Sequence, residues 1–257
     1  MEAALINLVP EYLPALARVG AILMFAPMVS SPAVPVRVRV LLAMALTLGL
    51  MPAVGTAAAV DSLGAMLVGI CGEIVIGIAI GMAISLVFVA ARMAGEIIAQ
   101  QLGLSVAEMF DPQAGGEANV LSSAYSLLAV VVFLGVNGHH ALINGIGASF
   151  SALPVMSAFN SANVVTMLSG LLLGAMTLAL QIAMPVFVTM LIVDLVVGMI
   201  GRTVPQVGMM TIGISLRAIV GFVLLALSMA MTATLLQGAT VGWMQLVKAA
   251  MGSLLGN

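Results

Sequence analysis

Charge is the scarcest property of this sequence. Seven basic and nine acidic residues make up only 6% of its 257 residues, whereas soluble domains carry about a quarter charged residues. So few charged side chains cannot cover a water-facing surface. The 63% share of hydrophobic residues and the mean hydropathy of +1.30 indicate the same. The composition excludes a soluble globular domain and predicts an integral membrane protein whose surface is covered by lipid or by other subunits.

Other absences narrow the function. Cys71 is the single cysteine, so a disulfide within the chain is excluded. A net charge of −2 without a basic run gives no indication of nucleic-acid binding. The sequence has no G-x-S-x-G, H-E-x-x-H or phosphate-binding G-x-x-x-x-G-K-[ST] motif. The "NGHH" turn at 137–140 has no nearby Cys, Asp or Glu with which to complete a metal site. We therefore predict no catalytic residue, no cofactor and no metal.

The apolar runs predict an all-α protein of six or seven helices, because about 20 apolar residues span a bilayer as a helix. For residues 164–200 the alternatives are one long helix kinked at Pro185 and two segments that meet there. We treat the chain as a single membrane-embedded subunit in four parts. These are N-terminal helices (1–91), a polar central loop (92–119), helices with the NGHH turn (120–163) and C-terminal helices that include a hairpin (164–257).

One stripe of the third apolar segment combines small residues with a carboxylate. Gly69, Glu73, Gly77, Gly81 and Ser85 recur at every fourth position and therefore share a helix face. Small residues at this spacing allow close approach of a second helix, which predicts a helix seam. Within it, the carboxylate is either a structural clasp between subunits or a proton relay.

Two further charges predict an ion pair. If "GRTVPQVG" (201–208) is the turn of a helical hairpin, Asp194 and Arg217 lie at nearly matched depths on its two arms. Opposite charges at one depth of a tight hairpin should meet. The pair is either a buried clasp of the hairpin or part of a transport path.

The stretch "ARMAGEIIAQQLGLSVAEMFDPQAGGEANV" (91–120) carries five of the charged residues between apolar segments. Its first part keeps helical spacing, and Gly103 is the predicted break. "FDPQAGG" is turn chemistry. Irregular polar backbone is tolerated at membrane depth only inside protein or along a water-filled cavity. The stretch is therefore either a connecting loop in water or a loop that closes a pore.

From the residues alone, the main alternative function is that of a polytopic secondary transporter using Glu73, Asp194 and Arg217. Transporters of this kind usually show internal repeats and paired broken helices. The sequence shows neither.

Three motifs in order resemble the FliR family of the flagellar type III protein export gate. The stretch "AGEIIAQQLGLSVAEMFDPQAGG" is similar to its central signature, "APMVSSPAVPVRVRVLLAMALTLGLMP" to its early segment and "FLGVNGHHALI" to its N-G-H turn. The resemblance covers essentially the whole chain. It implies a FliP-like helical part followed by a FliQ-like hairpin, in which not every apolar helix crosses the membrane.

The resemblance also implies partners and a location. These are FliP and FliQ in a hetero-oligomeric gate, FlhB and FlhA in the export apparatus, and exported flagellar proteins as cargo. The location is the bacterial inner membrane at the flagellar basal body. The family's central loop closes the channel as a plug, and this loop falls on residues 102–119. The candidate plug residues are Leu102, Gly103, Leu104, Ser105, Phe110, Asp111, Pro112, Gly115 and Gly116.

Overall fold

A computed structural model describes residues 2–54, 62–104, 120–157, 161–203 and 209–253. These residues form seven α-helices and contain no β-strand, which confirms the all-α fold class. The helices are α1 (Glu2–Phe25), α2 (Val36–Val54), α3 (Leu63–Gln101), α4 (Val120–Gly135), α5 (Gly138–Ala152), α6 (Ser161–Thr203) and α7 (Met209–Ser253).

The number of helices able to cross a membrane is smaller than the six or seven apolar helices predicted from the sequence. Within the described ranges, three helical stretches are long and apolar enough to do so: Leu63–Gln101, Ala162–Arg202 and Ser215–Leu246. The pair α4 and α5 would add a fourth if it forms one broken span, since the two helices are bent by 70°. Tyr12–Phe25 of α1 is a shorter apolar helical stretch within the same described ranges.

The longest helices continue through positions where the sequence suggests an interruption. Helix α6 runs unbroken through Pro185, which settles the choice between one helix and two. The Thr189 hydroxyl donates a 2.8 Å hydrogen bond to the Pro185 carbonyl. A break in an apolar environment would leave several backbone groups unpaired, at a greater cost than the one bond that proline removes.

The turns after α3, α4 and α5 contain residues in left-handed or extended backbone conformations. Helix α3 ends at Gln101, and Gly103 in the turn after it has a φ of +77°, the left-handed conformation that favours glycine beyond a helix end. Asn137 has a φ of 56° between α4 and α5. Helix α5 ends at Leu153, which is extended because Pro154 follows it, and Met156 in the next turn has a φ of 64°.

The turn between α1 and α2 is closed by an arginine of the "RVR" motif. Nη2 of Arg39 donates to the carbonyl oxygens of Ser31 at 2.6 Å and Ser30 at 3.3 Å. Hydrogen bonds to a charged donor are stronger than neutral ones, so this side chain fixes the entry into α2.

The chain divides into two compact units. The first comprises Met1–Leu86, Phe133–Leu173 and Thr240–Asn257; the second comprises Val87–Val132 and Gly174–Ala239. The first unit buries apolar residues of α1, α3 and α5, such as Ile22, Ile76 and Ile146. The second buries residues of α3, α4, α6 and α7, such as Ile98, Tyr125 and Met190. Each unit thus has a core of its own.

Candidate functional site

The glycine–glutamate stripe of α3 packs inside the first unit. A Cβ at Gly77 would lie 2.5 Å from the carbonyl oxygen of Arg18, and one at Gly81 would lie 2.8 Å from that of Ile22. Both glycines therefore let the backbone of α1 approach α3 directly. Among the described residues the stripe packs against another helix of the same chain, and a clasp between subunits stays a prediction.

The ends of the stripe are used differently. A Cβ at Gly69 would overlap the thioether of Met156, which lies in the turn after α5. The Ser85 hydroxyl donates to the Met82 carbonyl of its own helix at 2.9 Å, so it does not bond across the seam. The stripe thus holds α1 at its glycines and the turn after α5 at its first residue.

Glu73 is the chemical centre of this seam, and its partner is Arg18 of α1. The Arg18 guanidinium Nε donates to Glu73 Oε2, and the Met156 backbone N–H donates to Glu73 Oε1 at 2.8 Å. The two side chains of the ion pair are 0% and 2% exposed. Because both carboxylate oxygens are occupied and buried, this geometry supports a structural role for Glu73 over that of a proton relay.

Arg18 also binds the end of α5. Its Nη1 donates to the carbonyl oxygens of Ser149 at 3.1 Å and Leu153 at 2.8 Å, and its Cζ lies 4.7 Å from the centroid of the Phe150 ring. The carbonyls at the end of a helix carry partial negative charge, and the Ser149 carbonyl also accepts from the Leu153 backbone N–H at 2.8 Å. One guanidinium thus ties together α1, α3 and the end of α5. No hydrogen bond to Nη2 occurs among the described atoms.

Glu73 was identified from the sequence as a functional candidate, but its pairing with Arg18 was not. Arg18 and Glu73 are separated by 55 residues, with the whole of α2 between them. The available indication was that they are the two charges of opposite sign inside the first and third apolar segments. Buried charges require partners, but the sequence alone did not say which two charges meet.

The structure brings Asp194 and Arg217 together in the second unit. Nη2 of Arg217 lies 2.7 Å from Oδ1 of Asp194, across helices α6 and α7. The Arg217 side chain is 38% exposed and the Asp194 side chain 42%. The expected partners therefore meet, and in the described chain both side chains are partly exposed; burial of the pair in an assembly stays a prediction.

Most of the candidate plug lies outside the described residues. Ser105, Phe110, Asp111, Pro112, Gly115 and Gly116 belong to that part. Leu102, Gly103 and Leu104 are described, and Leu102 is 1% exposed. The beginning of the candidate plug is thus packed against the protein where α3 ends.

The NGHH turn forms the bend between α4 and α5. The rings of His139 and His140 are 4.2 Å apart between centroids and inclined by 47°. Among the described residues there is no group of three or more His, Cys, Asp or Glu side chains placed to hold a metal. The observed geometry is that of a bend between two helices, and it gives no indication of a metal site among the described residues.

Comparison with known proteins decides the family. The family model described as "Bacterial export proteins, family 1" matches residues 9–241. The chain is 34% identical over 228 residues to "Flagellar biosynthetic protein FliR" of Escherichia coli (strain K12), covering 85% of this chain and 84% of that protein. It is 31% identical over 215 residues to the protein of that name from Caulobacter vibrioides, covering 83% and 86% respectively. The chain belongs to the FliR family.

This membership makes the FliR-family chain a component of the flagellar protein-export apparatus. A relative from Aquifex aeolicus, also named "Flagellar biosynthetic protein FliR", is 30% identical over 233 residues, or 89% of this chain and 87% of that protein. Family membership does not favour the secondary-transporter alternative. The engagement of Glu73 by Arg18 and by the Met156 amide gives that alternative no further support.

Proposed function

We propose that this chain is a structural and gating subunit of a hetero-oligomeric export gate in the bacterial inner membrane. Its partners in the gate are FliP and FliQ, with FlhB and FlhA in the surrounding apparatus. The gate conducts unfolded flagellar proteins, and residues 102–119 of this chain close it from within.

The main observation that supports assembly with other subunits is the length of the exposed apolar surface on α6. Large hydrophobic side chains that are 39–66% exposed recur along this helix from Val165 to Ile200. At 1.5 Å per residue this distance is about 53 Å, well beyond a hydrocarbon core of about 30 Å. Tilt by 40° would bring only about 39 Å of helix into the core. Lipid alone is therefore too thin to cover this surface. We infer that neighbouring subunits cover the rest of it.

The ion pair on the same hairpin supports this reading. Asp194 and Arg217 lie on two helices whose large exposed side chains are apolar, such as Leu195 on α6 and Phe222 on α7. Charged side chains inside membrane helices face protein or water because hydrocarbon solvates them poorly. The half-exposed pair therefore marks the side of the hairpin that a polar surface of a partner or the aqueous conduit covers.

Co-purification tests the assembly. Affinity-tagged chain expressed with FliP and FliQ and extracted in mild detergent is expected to elute as one large particle containing all three. A tagged chain that elutes alone or as a small homo-oligomer, under conditions that keep its α-helical circular dichroism, would contradict the proposal. Gly20→Ala serves as the matched control because a Cβ there meets no described atom within 4 Å.

Shortening the polar segment tests the closure. Removal of residues 106–116 is expected to leave assembly intact and to make the gate conduct ions while secretion is switched off. The measurement is solute-driven swelling or ion conductance of vesicles that contain the assembled gate. A shortened gate that is as tight as the parent would show that the segment is a tether and no seal.

A further inference from the structure

The residue after α3 packs into the interface between α6 and α7. Leu102 follows the last residue of α3 and is 1% exposed. Its Cγ and Cδ2 lie 2.6 and 2.5 Å from the position that a Cβ at Gly221 would occupy, and Met190 Cε lies 3.0 Å from that position. Carbon atoms in ordinary contact are about 3.5–4.0 Å apart. The leucine side chain therefore occupies the space that a side chain at Gly221 would need, beside the end of Met190.

The Asp194–Arg217 ion pair lies one helix turn from this contact on both helices. Asp194 follows Met190 by four residues on α6, and Arg217 precedes Gly221 by four residues on α7. Residues four apart share a helix face and are separated by about 6 Å along the helix axis. Nη2 of Arg217 lies 2.7 Å from Oδ1 of Asp194. The leucine and the ion pair thus occupy successive layers of one interface, in which α6 and α7 run antiparallel.

Leu102 belongs to the last buried layer of α6 before the ion pair. Met190 is 0% exposed, and every residue of α6 from Leu191 to Arg202 is half-buried or exposed. Both side chains of the ion pair are partly exposed, and holding an exposed guanidinium in one geometry costs side-chain entropy. The charges keep one geometry more readily if the helices that carry them are held at a fixed separation. The buried layer of Leu102 and Met190, one turn away, holds that separation.

From this arrangement we propose that Leu102 is a positioning residue for the Asp194–Arg217 pair. Its side chain, seated against Gly221 and Met190, sets the separation of α6 and α7 at which the carboxylate and the guanidinium meet. The end of α3 thus fixes the geometry of a polar surface that α6 and α7 carry. The inference deepens the proposed function, and it rests on that function for the role of this surface in the assembled gate.

Two alanine variants of α7 test the positioning. Gly221→Ala places a methyl group where the Leu102 side chain lies, whereas the Cβ of Gly213→Ala would make ordinary contact at 3.5 Å with Val197 Cγ1. Both glycines are four residues from Arg217, so the two variants gain the same helix propensity at the same distance from the charge. The variants differ in whether Leu102 has to move.

The measurement is the coupling between Asp194 and Arg217 in a double-mutant cycle of Asp194→Asn and Arg217→Met, scored by unfolding of the isolated chain in detergent. The mean coupling for contacts between membrane helices corresponds to about threefold in the unfolding equilibrium constant. We expect this coupling in the parent and in Gly213→Ala, and its loss in Gly221→Ala. A general loss of stability does not produce this pattern, because each cycle compares variants within one background.

Truncation of the leucine gives a second measurement, which remains available if the Gly221→Ala chain does not fold. Leu102→Ala is expected to remove the coupling, and Leu102→Met, which keeps about the same volume, is expected to retain it. Ile98→Ala is the matched control, because Ile98 is 0% exposed on α3 one turn before Leu102. Its truncation removes buried carbon atoms from another layer and is expected to leave the coupling unchanged.

The outcomes separate this inference from the function on which it rests. Coupling that persists in a folded Gly221→Ala or Leu102→Ala chain overturns the positioning, and so does coupling that Gly213→Ala or Ile98→Ala removes equally. A parent chain without coupling also overturns it, because there is then no pair to position. If the coupling depends on Leu102 but the chain does not assemble with FliP and FliQ, the proposed function fails and the positioning within the chain stands. If the chain assembles and the coupling does not depend on Leu102, only this inference fails.

Discussion

In the part of the chain that the structure describes, two ion pairs connect apolar helices, and they differ in how completely groups of the same chain surround them. Arg18 and Glu73 are 0% and 2% exposed, and further hydrogen bonds to the end of α5 and to the Met156 amide surround them. Arg217 and Asp194 are 38% and 42% exposed at an N–O distance of 2.7 Å. The first pair is closed within its unit, whereas the second presents its polar atoms at the surface of an apolar hairpin.

This difference indicates that Arg18 and Glu73 stabilise the fold of the chain, whereas Asp194 and Arg217 belong to a surface for assembly. A buried ion pair costs desolvation energy that is regained only if the geometry is good and the remaining polar atoms are bonded. Arg18 and Glu73 meet most of that condition with groups of their own chain. Asp194 and Arg217 do not, so what surrounds them in the assembled gate decides what they contribute.

The largest expected effect is the loss of one member of the closed pair. Glu73→Gln or Arg18→Met leaves the other charge buried and uncompensated, which costs roughly 3–5 kcal/mol. We expect the variant chain to unfold at a lower denaturant concentration or temperature in detergent and to accumulate at a lower level in cells. The measurement is the unfolding transition followed by circular dichroism.

The exposed helical pair Arg92 and Glu96 is the matched control. Its side chains are 55% and 50% exposed at an N–O distance of 3.7 Å, and pairs of this kind contribute about 0.3–0.5 kcal/mol. We expect Glu96→Gln to shift the transition far less than Glu73→Gln. Equal shifts for Glu73→Gln and Glu96→Gln would contradict the claim that the buried pair contributes more to stability than an exposed one.

An intermediate effect is expected from one methyl group in the seam that positions the closed pair. Gly77→Ala places a Cβ 2.5 Å from the Arg18 carbonyl oxygen and 2.7 Å from Ala21 Cβ. Backbone has to move to relieve this contact, and such overpacking costs roughly 1–3 kcal/mol. The measurement is the same unfolding transition, with Gly20→Ala on α1 and Ile78→Leu on α3 as controls. A Gly77→Ala chain as stable as both controls would contradict the close seam.

The two pairs also show what the sequence can predict. The meeting of Asp194 and Arg217 was predictable because a short turn between two helices fixes their relative depth. The pairing of Arg18 with Glu73 was not, because α2 lies between them and no short connection sets the depth of α1 against α3. The exposure of Asp194 and Arg217 was not predictable either, since hydropathy does not distinguish cover by the chain from cover by another subunit.

Helix existence was predictable, and helix extent only in part. The apolar runs predicted helices where the described residues form them, because backbone in an apolar environment has to satisfy its own hydrogen bonds. The continuity of α6 through Pro185 was left open by the sequence, since the outcome depends on the surroundings of the proline. The close packing of the Leu102 side chain against Gly221 was also missed. Glycine spacing indicates a close approach but does not say which side chain enters it.

The smallest expected effect is the coupling free energy between Asp194 and Arg217 when the isolated chain unfolds. It also gives the sharpest test of the difference between the two ion pairs. If Asp194 and Arg217 are exposed, a lone charge left by Asp194→Asn or Arg217→Met reorients toward water. A double-mutant cycle on unfolding in detergent should then give a coupling of about 0.6 kcal/mol, the mean for such contacts between membrane helices. The same cycle, scored by the yield of the assembled gate, should give a larger coupling, because a partner that covers the hairpin prevents that relief. Equal coupling in the two states would show that nothing covers the pair on assembly, and the hairpin face would then lie against water.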